Sequence, residues 1–269
     1  MEKALVYLAG GLSSRFGGKI KGLQKVKGNK TLIEYSIDQA LTSKFSKIVI
    51  IVGEKTEKEF KKKLKSFYKK VPIYYVLQEY NKKTRNKPWG TTDALCCAKQ
   101  FLKCPFVVCN GDDIYGPSSF KILFEHLQKD NNEATVSYLL PLVIPEKGEV
   151  NRGIIKEKAG YVKSIKDKLK ISRQEFASGK ISKRMKCSMN IFCLHPKTLK
   201  LLGYEIKKFK KKNKGDREAE TKLPHELSSL IKKRKIKIKI YPAEDRWVGI
   251  TNPGDEIKAR KLIKKYYKP

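Results

Sequence analysis

At 269 residues the chain can form one sizeable α/β domain with a buried core, and its 40% apolar residues, spread along the length, exclude wholesale disorder. Lysine and arginine total 61 against 27 aspartates and glutamates, a formal charge of +34, yet only nine of the cations are arginine, and the lysines fall on nearly every segment. No window approaches the roughly 18 uninterrupted apolar residues of a membrane helix, no signal-peptide pattern opens the chain, and the six cysteines lack both zinc spacing and a disulfide framework, so a cytoplasmic protein with reduced thiols is expected.

Residues 3–9 (KALVYLA) are a short apolar run ending in Gly10-Gly11, as expected of a buried parallel strand feeding a glycine loop. Residues 31–42 set Leu32, Ile33, Tyr35, Ile37 and Leu41 on one helical face. The β-branched run 47–52 (KIVIIV), closed by Gly53, reads as the next strand, followed by a lysine-rich amphipathic helix over 57–68 and a strand over 72–78. Strand, helix, strand, helix, strand is the pattern of a doubly wound sheet. Between 79 and 89 the chain turns polar (Asn81, Lys82, Lys83, Thr84, Arg85, Asn86), which predicts a mobile loop over a site. A helix over 92–102 precedes the buried strand 105–109 (PFVVC), which ends in Asn110-Gly111-Asp112-Asp113. Two carboxylates just past a central strand stand where open α/β sheets place ligands. In the second half, 133–141, 153–165 and 188–194 read as strands of a mixed sheet, and 176–186 as a polar insertion. Helices are expected over 196–202 and 223–233, a strand over 236–241 and a last helix from 253 to about 267. No repeat or low-complexity linker marks a domain boundary.

Segment 8–21 is the first candidate for chemistry. A strand ending in glycines lets backbone N–H groups approach phosphate oxygens, and Arg15 and Lys21 can neutralise charge on a leaving pyrophosphate. A Walker A loop would need glycine at position 13 and Ser or Thr at 20, where the chain has Ser13 and Ile20, and G-x-G-x-x-G is absent. A plain glycine turn with solvated cations is the alternative reading of this segment alone. In the same way, Gln78 ending a strand, Gly90-Thr91 before a helix, and an Asx turn at Asp112 each have structural explanations in isolation. His126, His195 and His225 are scattered and lie beside no Ser or Cys in a triad-like setting, which argues against nucleophilic catalysis.

Taken in order, these segments resemble a known superfamily. Leu8-Ala9-Gly10-Gly11, then Arg15, then Lys21-Gly22-Leu23, is similar to the signature of sugar-1-phosphate nucleotidyltransferases and of molybdenum-cofactor guanylyltransferase-like proteins. The resemblance implies that Gln78 reads the base and that Gly90 and Thr91 contact the nucleotide; a Gln amide offers donor and acceptor, and glycine lets backbone come close. It makes Asp112 the Mg²⁺ ligand with Asp113 as neighbour or second ligand, since Mg²⁺ on a triphosphate takes only one or two protein carboxylates. Gly153, Asp167-Lys168 and Asn190 match elements that hold the acceptor's sugar and phosphate, with Asp167 one methylene shorter than the usual Glu. Glu220 with Leu223-Pro224 and Trp247-Val248-Gly249-Ile250-Thr251 complete the match, and Glu220 reads either as catalytic or as a capping carboxylate. One departure stands out: a second metal-binding Asp is common near Trp247, and this chain has Gly249, leaving Asp245, Asn252 or Asp255 to substitute, or Asp112 to suffice.

The implied fold is a Rossmann-like, GT-A-type three-layer α/β/α domain with a mixed, mainly parallel sheet, residues 1–130 forming the nucleotide half and 131–269 the acceptor half. The implied reaction moves NMP from an NTP to a sugar 1-phosphate, with Mg²⁺ and release of pyrophosphate. Phosphocholine or another small phosphomonoester is the alternative acceptor. A silent nucleotide- or polyanion-binding protein is the alternative of another class, suggested by Gly249 and the charge. A nucleic-acid partner is disfavoured, because such surfaces concentrate arginine and aromatics on one face. No membrane partner is expected, and self-association is compatible with the sequence.

Overall fold

Strand β1 (Ala4–Ala9) is apolar because it is covered on both faces: it lies within a ten-stranded sheet between β4 (Lys47–Val52) and β7 (Phe106–Asn110), parallel to both. The computed structural model describes residues 2–11, 19–146, 148–179, 181–250 and 254–267. A small hairpin, β2 (Lys25–Lys27) with β3 (Lys30–Thr31), leads into α1 (Leu32–Ala40), whose first turn is closed by a Thr31–Glu34 capping box. After β4, α2 (Glu54–Leu64) stops where Lys65 turns left-handed, φ 57°. The predicted helix over 57–68 is thus cut short, and β5 (Phe67–Tyr68) pairs back on β6 (Val71–Leu77) through Lys69 and Lys70, both at positive φ. Gly, Asn and Asp are the usual residues of such turns, so two lysines give no warning of one.

The expected helix over 92–102 is observed as the shorter α3 (Thr91–Cys97). After β7 come β8 (Asp113–Ile114) and α4 (Pro117–Lys129), a helix that sequence reading passed over although Pro117 suits a first turn and Phe120, Leu123 and Leu127 share its buried face. Strand β9 (Glu133–Leu139) follows. The single strand expected over 153–165 is a hairpin, β10 (Val150–Lys158) and β11 (Tyr161–Ile171), turned by Ala159 and Gly160 at positive φ. The polar insertion contains the short α5 (Gln174–Ala177) and leads to β12 (Lys186–Leu194). The last elements are α6 (Pro196–Lys212), α7 (Leu223–Lys232), β13 (Ile238–Pro242), β14 (Val248–Gly249) and α8 (Asp255–Tyr266).

The sheet runs β10-β11-β13-β9-β12-β7-β1-β4-β6-β5. From β7 to β6 it is parallel, as a doubly wound pattern requires. Beyond β7 it is mixed: β12 lies antiparallel to both β7 and β9, and β10–β11 is an antiparallel hairpin, so the expectation of a mainly parallel sheet holds only for the first half. The chain therefore has an α/β fold built on a mixed sheet. On one face Leu5 and Tyr7 pack with Ile33 and Ile37 of α1, Phe60 of α2 and Phe120 of α4. On the other, Ala4 and Val6 pack with Leu95 of α3, Leu202 of α6 and Leu227 of α7. A third cluster sets Ala259 and Ile263 of α8 against Leu32, Tyr35, Ile114 and Val248. Among the described residues no helix is long and apolar enough to cross a membrane.

Candidate active site

The carboxyl ends of β7, β1, β4 and β6 stand in a row. With about 4.8 Å between strands, Asp112 past β7 and Gln78 past β6 are roughly 14 Å apart, with Gly10 past β1 between them. A cavity of about 380 Å³ lies over this row. Leu8, Ala9, Gly10, Gly11, Lys21, Gln78, Gly90, Thr91 and Asp112, all selected from sequence, line it together. Arg15 lies outside the described residues.

At the Asp112 end, the turn carrying Lys21 presses on the loop after β7 so closely that a Cβ on Gly22 would stand 2.6 Å from the Gly111 carbonyl oxygen. That contact sets the Lys21 ammonium 3.9 Å from the Asp112 carboxylate, with the Asp112 side chain still 38% exposed. Desolvation in the cleft wall raises Asp112 above the ordinary carboxylate range, opposed by the Lys21 charge. Asp113 is buried instead. Its Oδ2 accepts from Asn110 Nδ2 at 2.8 Å and lies 3.1 Å from the Tyr115 hydroxyl. Burial, with the neighbouring Asp112 charge second, pushes Asp113 up to about 7.

A divalent ion carried by a triphosphate suits one exposed carboxylate. Asp112 offers it, whereas Asp113 is engaged by its own neighbours. The expected second Asp has no room: β14 pairs Gly249 with Asp113, and a Cβ there would lie 2.2 Å from the Trp247 ring and 2.5 Å from Asp113 Oδ1. The suggested substitutes are occupied or out of view. Asp245 accepts from the Ser118 N–H at 2.7 Å at the start of α4, Asp255 opens α8 3.7 Å from Lys258, and Asn252 lies outside the described residues. Among the described residues no group of three or more His, Cys, Asp or Glu could hold a metal.

At the other end, Gln78 Nε2 donates to the Gly90 carbonyl at 3.0 Å and to Asp93 Oδ2 at 3.1 Å. Gly90 takes φ 93° against Thr221: the Thr221 N–H donates to Trp89 O at 2.8 Å, and the Thr91 N–H to Thr221 O at 3.0 Å. The polar loop that was expected to be mobile is tied down. Arg85, 3% exposed, donates to the carbonyls of Lys87, Asp216 and Ala219 and stacks on Trp89, 3.3 Å from the ring centroid. The loop also carries Lys87 to the cavity, 3.5 Å from Glu220, which lines the same wall. Sequence reading did not select Lys87; its place in Lys87-Pro88-Trp89-Gly90, directly before a nucleotide-contact motif, was the available signal.

The residues selected for the acceptor do not line this cavity. Asn190 sits at a bulge of β12 with φ 61°, its Nδ2 donating to Asn110 Oδ1 at 2.5 Å and its buried Oδ1 without a partner among the described residues. Gly153 pairs with Asp167 across β10–β11 and with Ser188 of β12. Asp167 and Lys168, adjacent on a strand, diverge to different partners: Asp167 to Lys222 (2.6 Å) and His225 (3.2 Å), Lys168 to Glu175 (3.5 Å). Burial alone would raise Asp167, but Lys222 and His225 outweigh it and hold the carboxyl below its ordinary value.

The overall fold is shared by proteins of known structure. A putative glucose-1-phosphate thymidylyltransferase from Bacillus anthracis, in complex with sucrose, superposes with a TM-score of 0.72 at 18% identity, covering 100% of this chain and 98% of that one. A UDP-glucose pyrophosphorylase complexed with UDP-glucose gives 0.68 at 18% identity, covering 98% and 99%. The inositol-1-phosphate CTP transferase of T. maritima gives 0.67 at 17%, covering 98% and 96%. No curated protein sequence shows a significant match. The sequence profile of the family described as nucleotidyl transferase matches residues 6–230, which spans the cavity and both halves of the sheet, and the chain is a member of that family of enzymes.

Proposed function

We propose that the protein transfers a nucleoside monophosphate from an NTP to a sugar 1-phosphate and releases pyrophosphate. The observation that carries this reading is the single cavity shared by the glycine turn after β1, Lys21, Asp112, Gln78 and Gly90-Thr91. Gln78, Gly90 and Thr91 would receive the nucleoside, and the backbone of Leu8, Ala9, Gly10 and Gly11 the phosphates. Lys21, with Arg15, would neutralise the leaving pyrophosphate, while Asp112 would hold Mg²⁺. When bound, Mg²⁺ would supply further charge neutralisation on the triphosphate. An acceptor phosphate oxygen attacks the α-phosphorus in line, and the bond to the bridging oxygen of the β-phosphate breaks. A phosphate nucleophile is already anionic, so the protein's work is positioning and charge stabilisation, not proton abstraction.

On the acceptor side, Gly153, Asp167 and Asn190 would meet the sugar and Lys168 its phosphate. Lys168 pairs with Glu175 and Lys222 with Asp167, so the acceptor phosphate would reach either cation by displacing a carboxylate. The three-layer α/β/α description is supported by the two separate cores flanking the sheet. The division into a nucleotide half, 1–130, and an acceptor half, 131–269, is a functional one, since α8 packs against α1. A cytoplasmic location accords with the free cysteines, and a homo-oligomer is part of the same reading.

The test is pyrophosphate release from purified protein with Mg²⁺, each of the four NTPs, and a panel of sugar 1-phosphates plus phosphocholine. Release with one pair identifies base and acceptor together. Nucleotide binding without release under any pair would instead establish a silent nucleotide-binding protein.

A further inference from the structure

Gln78 is less free than a base-reading residue chosen from sequence suggests. Both hydrogens of its amide are already spent, one on the Gly90 carbonyl at 3.0 Å and one on Asp93 Oδ2 at 3.1 Å. A backbone carbonyl and a carboxylate only accept, so the amide can point just one way. Its remaining polar atom is Oε1, to which no described residue donates, on a side chain that lines the cavity.

Asp93 is itself held. It is 4% exposed and occupies the first turn of α3, where the helix dipole favours a carboxylate. Lys210 of α6 reaches its other oxygen at 2.5 Å. The Lys210 ammonium lies 5.8 Å from the centroid of Trp89, whose ring the Arg85-anchored loop fixes in turn. A buried carboxylate carrying a lysine from a distant helix is a costly way to cap one amide, and an apolar residue would fill the same space. What the carboxylate adds is direction.

We infer that Asp93, held by Lys210, is a positioning residue that locks Gln78 as a hydrogen-bond acceptor, so that the enzyme selects the nucleotide whose base turns an N–H donor toward Gln78 Oε1. This rests on the nucleotide site proposed above and adds the rule by which that site chooses. A base presenting a carbonyl or a bare ring nitrogen at that point sets lone pair against lone pair and leaves Oε1 unsatisfied. Asp93→Asn should undo the lock, because the new amide must turn its oxygen to Lys210, leaving its NH₂ facing Gln78. Asp93→Leu removes one of the two acceptors and leaves the Gly90 carbonyl alone to orient the Gln78 amide, so that turning it costs one hydrogen bond instead of two.

The experiment is calorimetric titration of the full chain with ATP, CTP, GTP and UTP, so it needs no turnover. The tightest ligand is then compared with its analogue lacking edge N–H groups: N6,N6-dimethyladenosine, N4,N4-dimethylcytidine, 1-methylinosine (for GTP) or 3-methyluridine triphosphate. Wild type should prefer its ligand at least tenfold over the least favoured NTP and bind the methylated analogue at least tenfold more weakly. In Asp93→Asn and Asp93→Leu, with cooperative thermal melts confirming folding, the four affinities should converge to within about threefold. Retention of the wild-type ratios in both variants, even with weaker binding overall, would reduce Asp93 to a packing role and overturn the inference, as would equal binding of the methylated analogue. A wild-type chain that binds no NTP would overturn the nucleotide site and this inference with it.

Discussion

Lys21 carries the most quantitative expectation. Its ammonium stands 3.9 Å from Asp112, with side-chain exposures of 18% and 38%. At an effective dielectric constant of ~20, unit charges ~4 Å apart interact by about 4 kcal/mol. Solvent at the Asp112 side chain screens most of that, leaving roughly 1 kcal/mol or less in the resting protein. In the proposed transfer the same ammonium would face charge building on pyrophosphate in a cleft from which water is displaced, where one lost contact costs about 2.7–4 kcal/mol, or about 100- to 1,000-fold in rate. Lys21→Met keeps the stem and removes the charge. Its kcat at saturating NTP and acceptor should therefore fall about 100- to 1,000-fold, with a urea midpoint that changes by no more than about 1 kcal/mol of stability. Continuous pyrophosphate detection and urea melts read the two effects separately. A folded variant with near-wild-type kcat would remove Lys21 from the transfer step.

Gly90→Ala should lose about 1–3 kcal/mol of stability, because position 90 needs φ 93° and a Cβ there would meet the Thr221 carbonyl oxygen at 2.1 Å; an unchanged urea midpoint would show that the Gly90–Thr221 bridge is not needed. Arg85→Ala strips a donor from three carbonyls, costing about 1–3 kcal/mol, and should expose the 79–89 loop to limited proteolysis at pH 7, where wild type resists. For Asp113, folding raises the carboxyl from an ordinary ~3.9 to about 7. The folded state thus binds the extra proton between those values, and stability from this group is full below about pH 4 and lost as pH rises through about 7. Thermal midpoints should fall over that window in wild type and less so in Asp113→Asn; parallel profiles would place Asp113's titration elsewhere.

The parallel half of the fold was legible because its strands are buried on both faces and its helices carry one apolar face, which are local signals. Where two lysines make a turn at 69–70, or Ala159 takes positive φ, the conformation is imposed by pairing of the flanking strands, and composition carries no trace of it. The polar string 81–86 looks like solvent-facing loop until Arg85 is seen to face inward, a choice made by carbonyls more than 130 positions later in the chain. The nucleotide side of the candidate site follows the strand ends, so sequence order was nearly enough. The acceptor side depends on which face of β11 each residue takes, and that alternation separates Asp167 from Lys168. Gly249 could be read as a missing carboxylate, but not that the Trp247 ring fills its place.

The strand β14 and helix α8 return from the second half to brace β8 and α1, beside Asp112 and Asp113. A ribosome makes the chain from the amino end, and early segments fold as they emerge. The sheet around β1 can assemble early, yet the loop holding Asp112 lacks its clasp until residues 248–266 are free. A nascent chain therefore holds the glycine turn and the Gln78 end of the cavity before Asp112 and Asp113 are secured. Full transfer competence should arrive only in the last stage of synthesis, and released chains truncated between 243 and 247, which keep Lys210 and Thr221 but lack β14 and α8, should bind nucleotide more readily than they release pyrophosphate.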